Sequence, residues 1–347
     1  MSGKPIGYWE FFAANVHISG DAPLYARFAE GVAGNEEIQA LARNARPGQP
    51  LANILFAAVH FLLLRGADDR LRRYYPNLNG GARVEGEDPF PHFAAFCGKH
   101  RDALLPLIRS RVTNTNEVGR SAVLHAGLRE AAREGGEPLH LIEIGPSAGL
   151  NMIWDRYRVR YRRGAETFET ETPDAPLTLD CELRGDKTPP LGPPPRIASR
   201  VGLELNPVDL SNADDRDWLR ALVWPDQTGR FAKLEAALEI YKDASPEIRV
   251  GDALALLPDA LARVPADEPV CVYHTFVTYQ FSEEMRRAFY NLLTVAGLRR
   301  KVWCLSNEGR FDNNTNPLVL WRYHDGAQEE RLLANTQPHG AWIEWLA

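Results

Sequence analysis

The chain has 347 residues, with 40 Lys and Arg against 46 Asp and Glu, so its formal net charge is −6. Apolar residues make up 44% and charged residues 25%, which excludes disorder, collagen or coiled coil as a description of the whole. At roughly 150 residues per domain the length suggests two domains, or one large domain with an appendage. Mild acidity argues against a broad nucleic-acid surface or an anionic-membrane binder, since both need a basic face.

Four cysteines, Cys97, Cys181, Cys271 and Cys304, lie far apart with no CxxC pair. That spacing fits neither a zinc ribbon nor a disulfide framework and suits a reducing compartment. The nine histidines form no HxxxH or HExxH pattern, so no metal site is expected. No basic segment followed by an apolar run opens the chain, and the longest apolar run, residues 54–64, is about half a bilayer span. A cytoplasmic protein without a membrane span is expected.

In chain order, residues 5–15, 22–32, 36–44, 53–64, 90–111 and 117–134 carry apolar residues at three-to-four spacing and predict helices. Breaker clusters separate them at 46–48, 77–81 and 86–91. Asp21 and Asn116 are placed as N-caps. The texture changes at Pro138. Strand-like runs follow at 139–144, 201–205, 248–250, 270–274 and 301–305, with helical stretches at 150–157, 216–223, 230–241, 253–261 and 283–296. Alternation of this kind predicts an α/β sheet of parallel strands with right-handed crossovers. Residues 318–323 and 329–334 read as a hairpin, and 341–346 as a closing strand. Residues 158–200 hold seven prolines and one alternating run at 177–183, and read as an insertion containing a small β-ribbon. The expected division is therefore a helical N-terminal cap, 1–137, and an α/β domain, 138–347.

Gly145-Pro146-Ser147-Ala148-Gly149 is the sharpest local feature, and it supports two chemistries. As G-x-S-x-G it is a nucleophile elbow with Ser147 attacking; Asp252 and either His274 or His339 follow in the order of a hydrolase triad. As Glu143-x-Gly145-x-Ser147-x-Gly149 it resembles the first motif of class I S-adenosylmethionine-dependent methyltransferases. A third reading is an unoccupied strand-to-helix turn. The all-helical upstream region favours the cofactor turn, because an elbow normally lies mid-sheet with strands before it. Glu204 and Asp252 then end the next two strands in order, as a ribose acid and an adenine-facing acid would. Each alone reads equally as a helix cap or strand-end turn. Gly145 to Glu204 is 204 − 145 = 59 residues, against about 20 in a simple βαβ unit, and the insertion supplies the excess. A pyrophosphate dinucleotide is disfavoured, since only the first glycine of G-x-G-x-x-G is present, and no P-loop occurs.

Residues 115–120 (TNEVGR), 141–151 (LIEIGPSAGLN), 154–157 (WDRY), 200–207 (RVGLELNP), 218–225 (WLRALVWP) and 251–253 (GDA) together resemble an uncharacterised bacterial family with a methyltransferase-like core. The resemblance covers nearly the whole chain. It implies a Rossmann-like class I methyltransferase sheet, parallel with an antiparallel C-terminal hairpin, beside an all-helical N-terminal region. It also implies S-adenosylmethionine as cofactor, held by Glu143, Gly145, Ser147, Gly149, Asn151, Glu204, Leu205, Asp252 and Ala253. His274, closing the fourth strand, is the candidate base. Asn116, Arg120 and Tyr279 are candidate pocket residues for a small-molecule substrate. The expected activity is methyl transfer to an organic acceptor; the alternatives are a binding or regulatory protein that kept the fold, and a Ser147 hydrolase.

Overall fold

A computed structural model describes residues 7–16, 22–172, 174–308 and 315–347. The N-cap expected at Asp21 lies outside the described residues. The chain divides into two compact units, Met1–Thr115 with Val208–Leu234, and Asn116–Pro207 with Glu235–Ala347.

The first unit is helical among its described residues. Its helices are α1 (Tyr8–Asn15), α2 (Pro23–Ala33), α3 (Glu36–Ala42), α4 (Leu51–Leu64), α5 (Phe90–Lys99), α6 (Arg101–Ser110) and, numbered in chain order, α8 (Ala213–Ala221). Helix α4 is apolar on nearly every side and has ten buried residues, so its neighbours must surround it. Phe56 on α4 meets Tyr25 at 4.7 Å between ring centroids, and Phe93 stacks on Phe28 at 4.3 Å. The residues expected as one helix over 90–111 form two, parting at His100. Gly98 and Pro106, both poor in helix interiors, flank the break.

Segment 208–234 joins this unit because its side chains bond there. Trp218 Nε1 donates to Val112 O at 2.9 Å, and Arg65 pairs with Asp214 at 2.6 Å. His60 on α4 is fully buried, with Nδ1 3.0 Å from Ala221 O and Nε2 2.9 Å from Asn77 Nδ2. A carbonyl only accepts, so Nδ1 carries the proton and Nε2 accepts from the amide.

The second unit carries a mixed sheet. Its strands are β1 (Leu139–Ile144), β2 (Arg158–Arg163), β3 (Glu166–Glu169), β4 (Thr178–Arg184), β5 (Ile197–Glu204), β6 (Glu247–Val250), β7 (Val270–Thr275), β8 (Val302–Asn307), β9 (Asn316–His324), β10 (Ala327–Thr336) and β11 (Trp342–Trp345). They form one sheet of 11 strands in the order β3-β2-β4-β11-β10-β9-β8-β7-β1-β5-β6. From β6 through β8 every pairing is parallel, whereas β8 to β11 are antiparallel. Strands β1, β7 and β8 are buried at every position, which explains their continuous apolar sequence.

Helices α10 (Ala253–Ala262) and α11 (Glu283–Gly297) cover one face, where Leu257 and Phe289 pack with Ile142, Val272 and Cys304. Helix α7 (Ser121–Gly135) packs against β7, β8, β9 and β4. It reads in the sequence as part of the N-terminal helical region, yet it belongs to the second unit. The insertion also differs from a separate ribbon. Strands β2 and β4 run parallel to one another, and β4 runs parallel to β11, so residues 158–184 extend the main sheet.

Candidate functional site

Strand β1 lies between β5 and β7. The chain leaves it for β5 on one side and later returns to β7 on the other. Such a switch point opens a crevice at the carboxyl ends of the strands, where open α/β sheets bind ligands. The Gly145 turn leaves β1 at that place.

Three residues of the turn have left-handed backbones: Gly145 at φ +67, Ser147 at φ +56 and Gly149 at φ +81. Gly145 is doubly required, because a methyl there would stand 2.6 Å from Val277 Cγ2. Glu204, ending β5, braces the turn. Its Oε2 accepts from Ser147 N at 2.8 Å, and its Oε1 accepts from Asn206 N at 2.9 Å. Asn116 Oδ1 accepts from Leu150 N at 2.8 Å, and Ser121 Oγ donates to Asn151 Oδ1 at 2.8 Å. The stretch expected as a helix after the turn is a 3-10 segment, Leu150–Arg156, with non-helical backbone at Ile153.

Glu143 is buried under the turn and accepts from Tyr273 Oη at 3.0 Å. Burial first, and then the charge of Glu204, pushes its carboxyl up to about 8, against the Tyr273 hydrogen bond and the Arg120 charge. At neutral pH Glu143 is therefore mainly protonated.

Arg120 lies with Cζ 4.1 Å over the Phe276 ring, and its Nε donates to Pro338 O at 2.9 Å. Phe276 has φ +57, an uncommon conformation for an aromatic residue, and its ring meets Tyr279 at 6.4 Å. Gly119 and Gly340 touch through their backbones: a methyl on Gly340 would stand 2.1 Å from Gly119 O. His339 lies in that same turn, where its N–H donates to Gln337 Oε1 at 2.6 Å.

The structure thus brings together Glu143, Gly145, Ser147, Gly149, Asn151, Glu204, Asn116 and Arg120. Asp252 is the exposed N-cap of α10, its Oδ1 accepting from Leu254 N at 2.7 Å, with Ala253 opening that helix, and Gly251 just before it donates its N–H to Glu204 O at 2.9 Å. Leu205 projects outward and is 65% exposed. His274 and Tyr273 are consecutive on β7, so they face opposite sides of the sheet, and His274 lies on the side away from Glu143. It is wholly buried, with Nδ1 2.7 Å from Glu308 Oε1 and Nε2 without a partner among the described residues.

Sequence reasoning missed Glu308. Its Oε1 also accepts from Val277 N at 2.8 Å and Thr278 N at 3.1 Å, so one carboxylate anchors the turn beneath Tyr279. Burial alone would raise this carboxyl; the His274 hydrogen bond and the two backbone N–H groups outweigh burial and hold it below the usual value. The available signal was an acid directly after a buried strand, too common to single out.

Among the described residues, no group of three or more His, Cys, Asp or Glu is placed to hold a metal ion, and no helix is long and apolar enough to cross a membrane. The four cysteines are buried and unpaired.

A mixed α/β sheet with the glycine turn at its switch point defines the architecture, and comparison places the chain in a family. Residues 11–345 match the model described as "Uncharacterized protein conserved in bacteria (DUF2332)", and the chain belongs to that family. No curated protein and no solved structure matches it.

Proposed function

We propose that the Gly145 turn binds S-adenosylmethionine and that the protein transfers the methyl group to an organic acceptor. The observation that carries this reading is the parallel order β6-β5-β1-β7-β8. Counted along the chain's parallel core it is 3-2-1-4-5, the order of dinucleotide-type folds, with the left-handed turn at the switch point. The chemistry of the edge fits a nucleoside. Glu204 keeps further acceptor lone pairs on oxygens that already fix the turn. Beside it Leu205 and Val250, 65% and 67% exposed, offer apolar surface for an adenine to cover.

When bound, S-adenosylmethionine supplies an electrophilic methyl on a sulfonium. The chain's residues hold and orient. Glu204 fixes the turn through Ser147 N, protonated Glu143 keeps a second negative charge from forming beneath it, and Arg120 with Tyr279 lines the acceptor side. His274, buried against Glu308, serves in this reading as a positioning residue that holds Glu308 and, through it, the 277–278 backbone. Rate in such a site comes from positioning two reactants and removing water.

Calorimetric titration with S-adenosylmethionine and S-adenosylhomocysteine tests the reading. Micromolar binding is expected, abolished by Gly145→Arg and weakened at least tenfold by Leu205→Asp, whose exposed site leaves folding intact. A folded protein that binds neither ligand overturns it. Binding without turnover on any acceptor favours a regulatory protein instead.

A further inference from the structure

A second cluster lies at the opposite end of the same strands. His140, the second residue of β1, has Nδ1 2.7 Å from Ser199 Oγ on β5, and its Nε2 contacts Glu268 Oε2 just before β7. Glu268, a carboxylate, only accepts, so Nε2 carries the imidazole proton. Nδ1 is then the acceptor for the Ser199 hydroxyl. Hydroxyl, imidazole and carboxylate stand in line, each within hydrogen-bond reach of the next, which is the arrangement of an activated nucleophile.

The cluster is held from several sides. The β1–β5 register slips between Leu139 and His140, which pair with Ile197 and Ser199, so Ala198 is bulged out. A bulge re-aims neighbouring side chains, and here it sets Ser199 opposite the imidazole. The loop carrying Glu268 is tied down by Arg300, whose Nη1 donates to Val264 O at 2.8 Å and whose Nη2 donates to Pro265 O at 2.8 Å and to Glu268 O. His140 N donates to Pro269 O at 3.0 Å. The His140 side chain is 10% exposed whereas Ser199 is exposed, so the base is shielded and the nucleophile is open to a ligand.

We propose that Ser199, His140 and Glu268 form a nucleophilic serine site that takes carboxylic esters. Ser199 Oγ bonds to the ester carbonyl carbon as its proton passes to His140 Nδ1. The adduct collapses, the bond to the alcohol oxygen breaks, and that proton goes to the departing alkoxide. Water then attacks the acyl-serine and gives a proton to Nδ1, which returns it to Ser199 Oγ as the acid leaves. Ser199 and His140 are the catalytic residues, and Glu268 is a positioning residue. The site is independent of the Gly145 turn and of any cofactor there.

A biotinylated fluorophosphonate, followed by digestion and peptide mapping, tests the assignment. Label is expected on the peptide containing Ser199 and lost in Ser199→Ala, a surface change that leaves thermal unfolding unmoved. Glu268→Gln slows labelling by about 10²-fold and lowers kcat for p-nitrophenyl acetate with KM unchanged, and Glu268→Asp restores most of it. Absence of label at Ser199 in folded protein, label confined to Ser147, or equal labelling rates with Glu268→Gln overturns the proposal.

Discussion

Glu143 sits two residues before the first glycine of the turn, and its neighbours change what that acid is. In sequence it is a charged group at a strand end; in the fold it is a dry carboxyl facing Tyr273. Its folded value, about 8, lies above the unfolded carboxylate range, so between roughly pH 4.5 and 8 the folded state holds a proton that the unfolded state has lost. Stability from this group is full below that window and is lost as pH rises through it. Glu143→Gln keeps the shape and removes the titration. The variant's stability relative to the parent is expected to rise between pH 5 and pH 8, by at most about 1.4 kcal/mol per pH unit, in urea unfolding curves. An unchanged difference across that range rejects the protonated state.

Among elements, the contact between the 3-10 turn Val118–Arg120 and turn 337–340 links the two loops that flank Arg120. A methyl on Gly119 would stand 2.3 Å from His339 O, and backbone cannot yield as a flexible side chain does. Gly119→Ala is expected to cost about 1–3 kcal/mol, read as a lower urea midpoint with unchanged slope. At this scale the sequence was partly legible. Strands β1, β7 and β8 announce themselves as short apolar runs because both faces are covered. The pattern over 90–111 predicts one helix where the fold has two, since a local pattern does not register the parting at His100. Residues 158–200 read as an insertion with a small ribbon of its own, because the pairing of β4 with β11 is a backbone contact across more than a hundred residues. Alternation along β4 says which side chains are buried and nothing about which strand it pairs with.

In the whole molecule, each unit buries groups that respond to pH in opposite senses. His60 in the first unit is lowered to about 4 by burial, against the hydrogen bonds of Ala221 O and Asn77. Its folded value is depressed, so the unfolded state binds the extra proton between roughly pH 6.5 and 4. The stability it contributes is present above that window and lost as pH falls through it. Glu143 in the second unit works the other way. His60→Gln is therefore expected to lessen the acid sensitivity of the parent below pH 6, while Glu143→Gln acts above pH 5. Unfolding midpoints of both variants at pH 4.5, 6 and 8 check this; parallel shifts in both would contradict it.

The sequence by itself determined the alternation that makes an α/β sheet, the buried character of β1, β7 and β8, the glycine turn after β1, and membership of the family. These follow from local patterns: apolar runs, turn residues and caps act within a few positions. Only the tertiary structure decided that Glu204 braces Ser147, that Glu308 holds the turn under Tyr279, that α7 packs on the sheet, and that Ser199 meets His140. Each depends on groups brought together from distant parts of the chain, and the burial and pairing that set their chemistry exist only once the strands are ordered. The length suggested two domains. Contacts along the chain form two compact units with bounds other than 137/138, their segments interleaving in sequence, and the glycine turn and the serine cluster lie at opposite ends of one sheet.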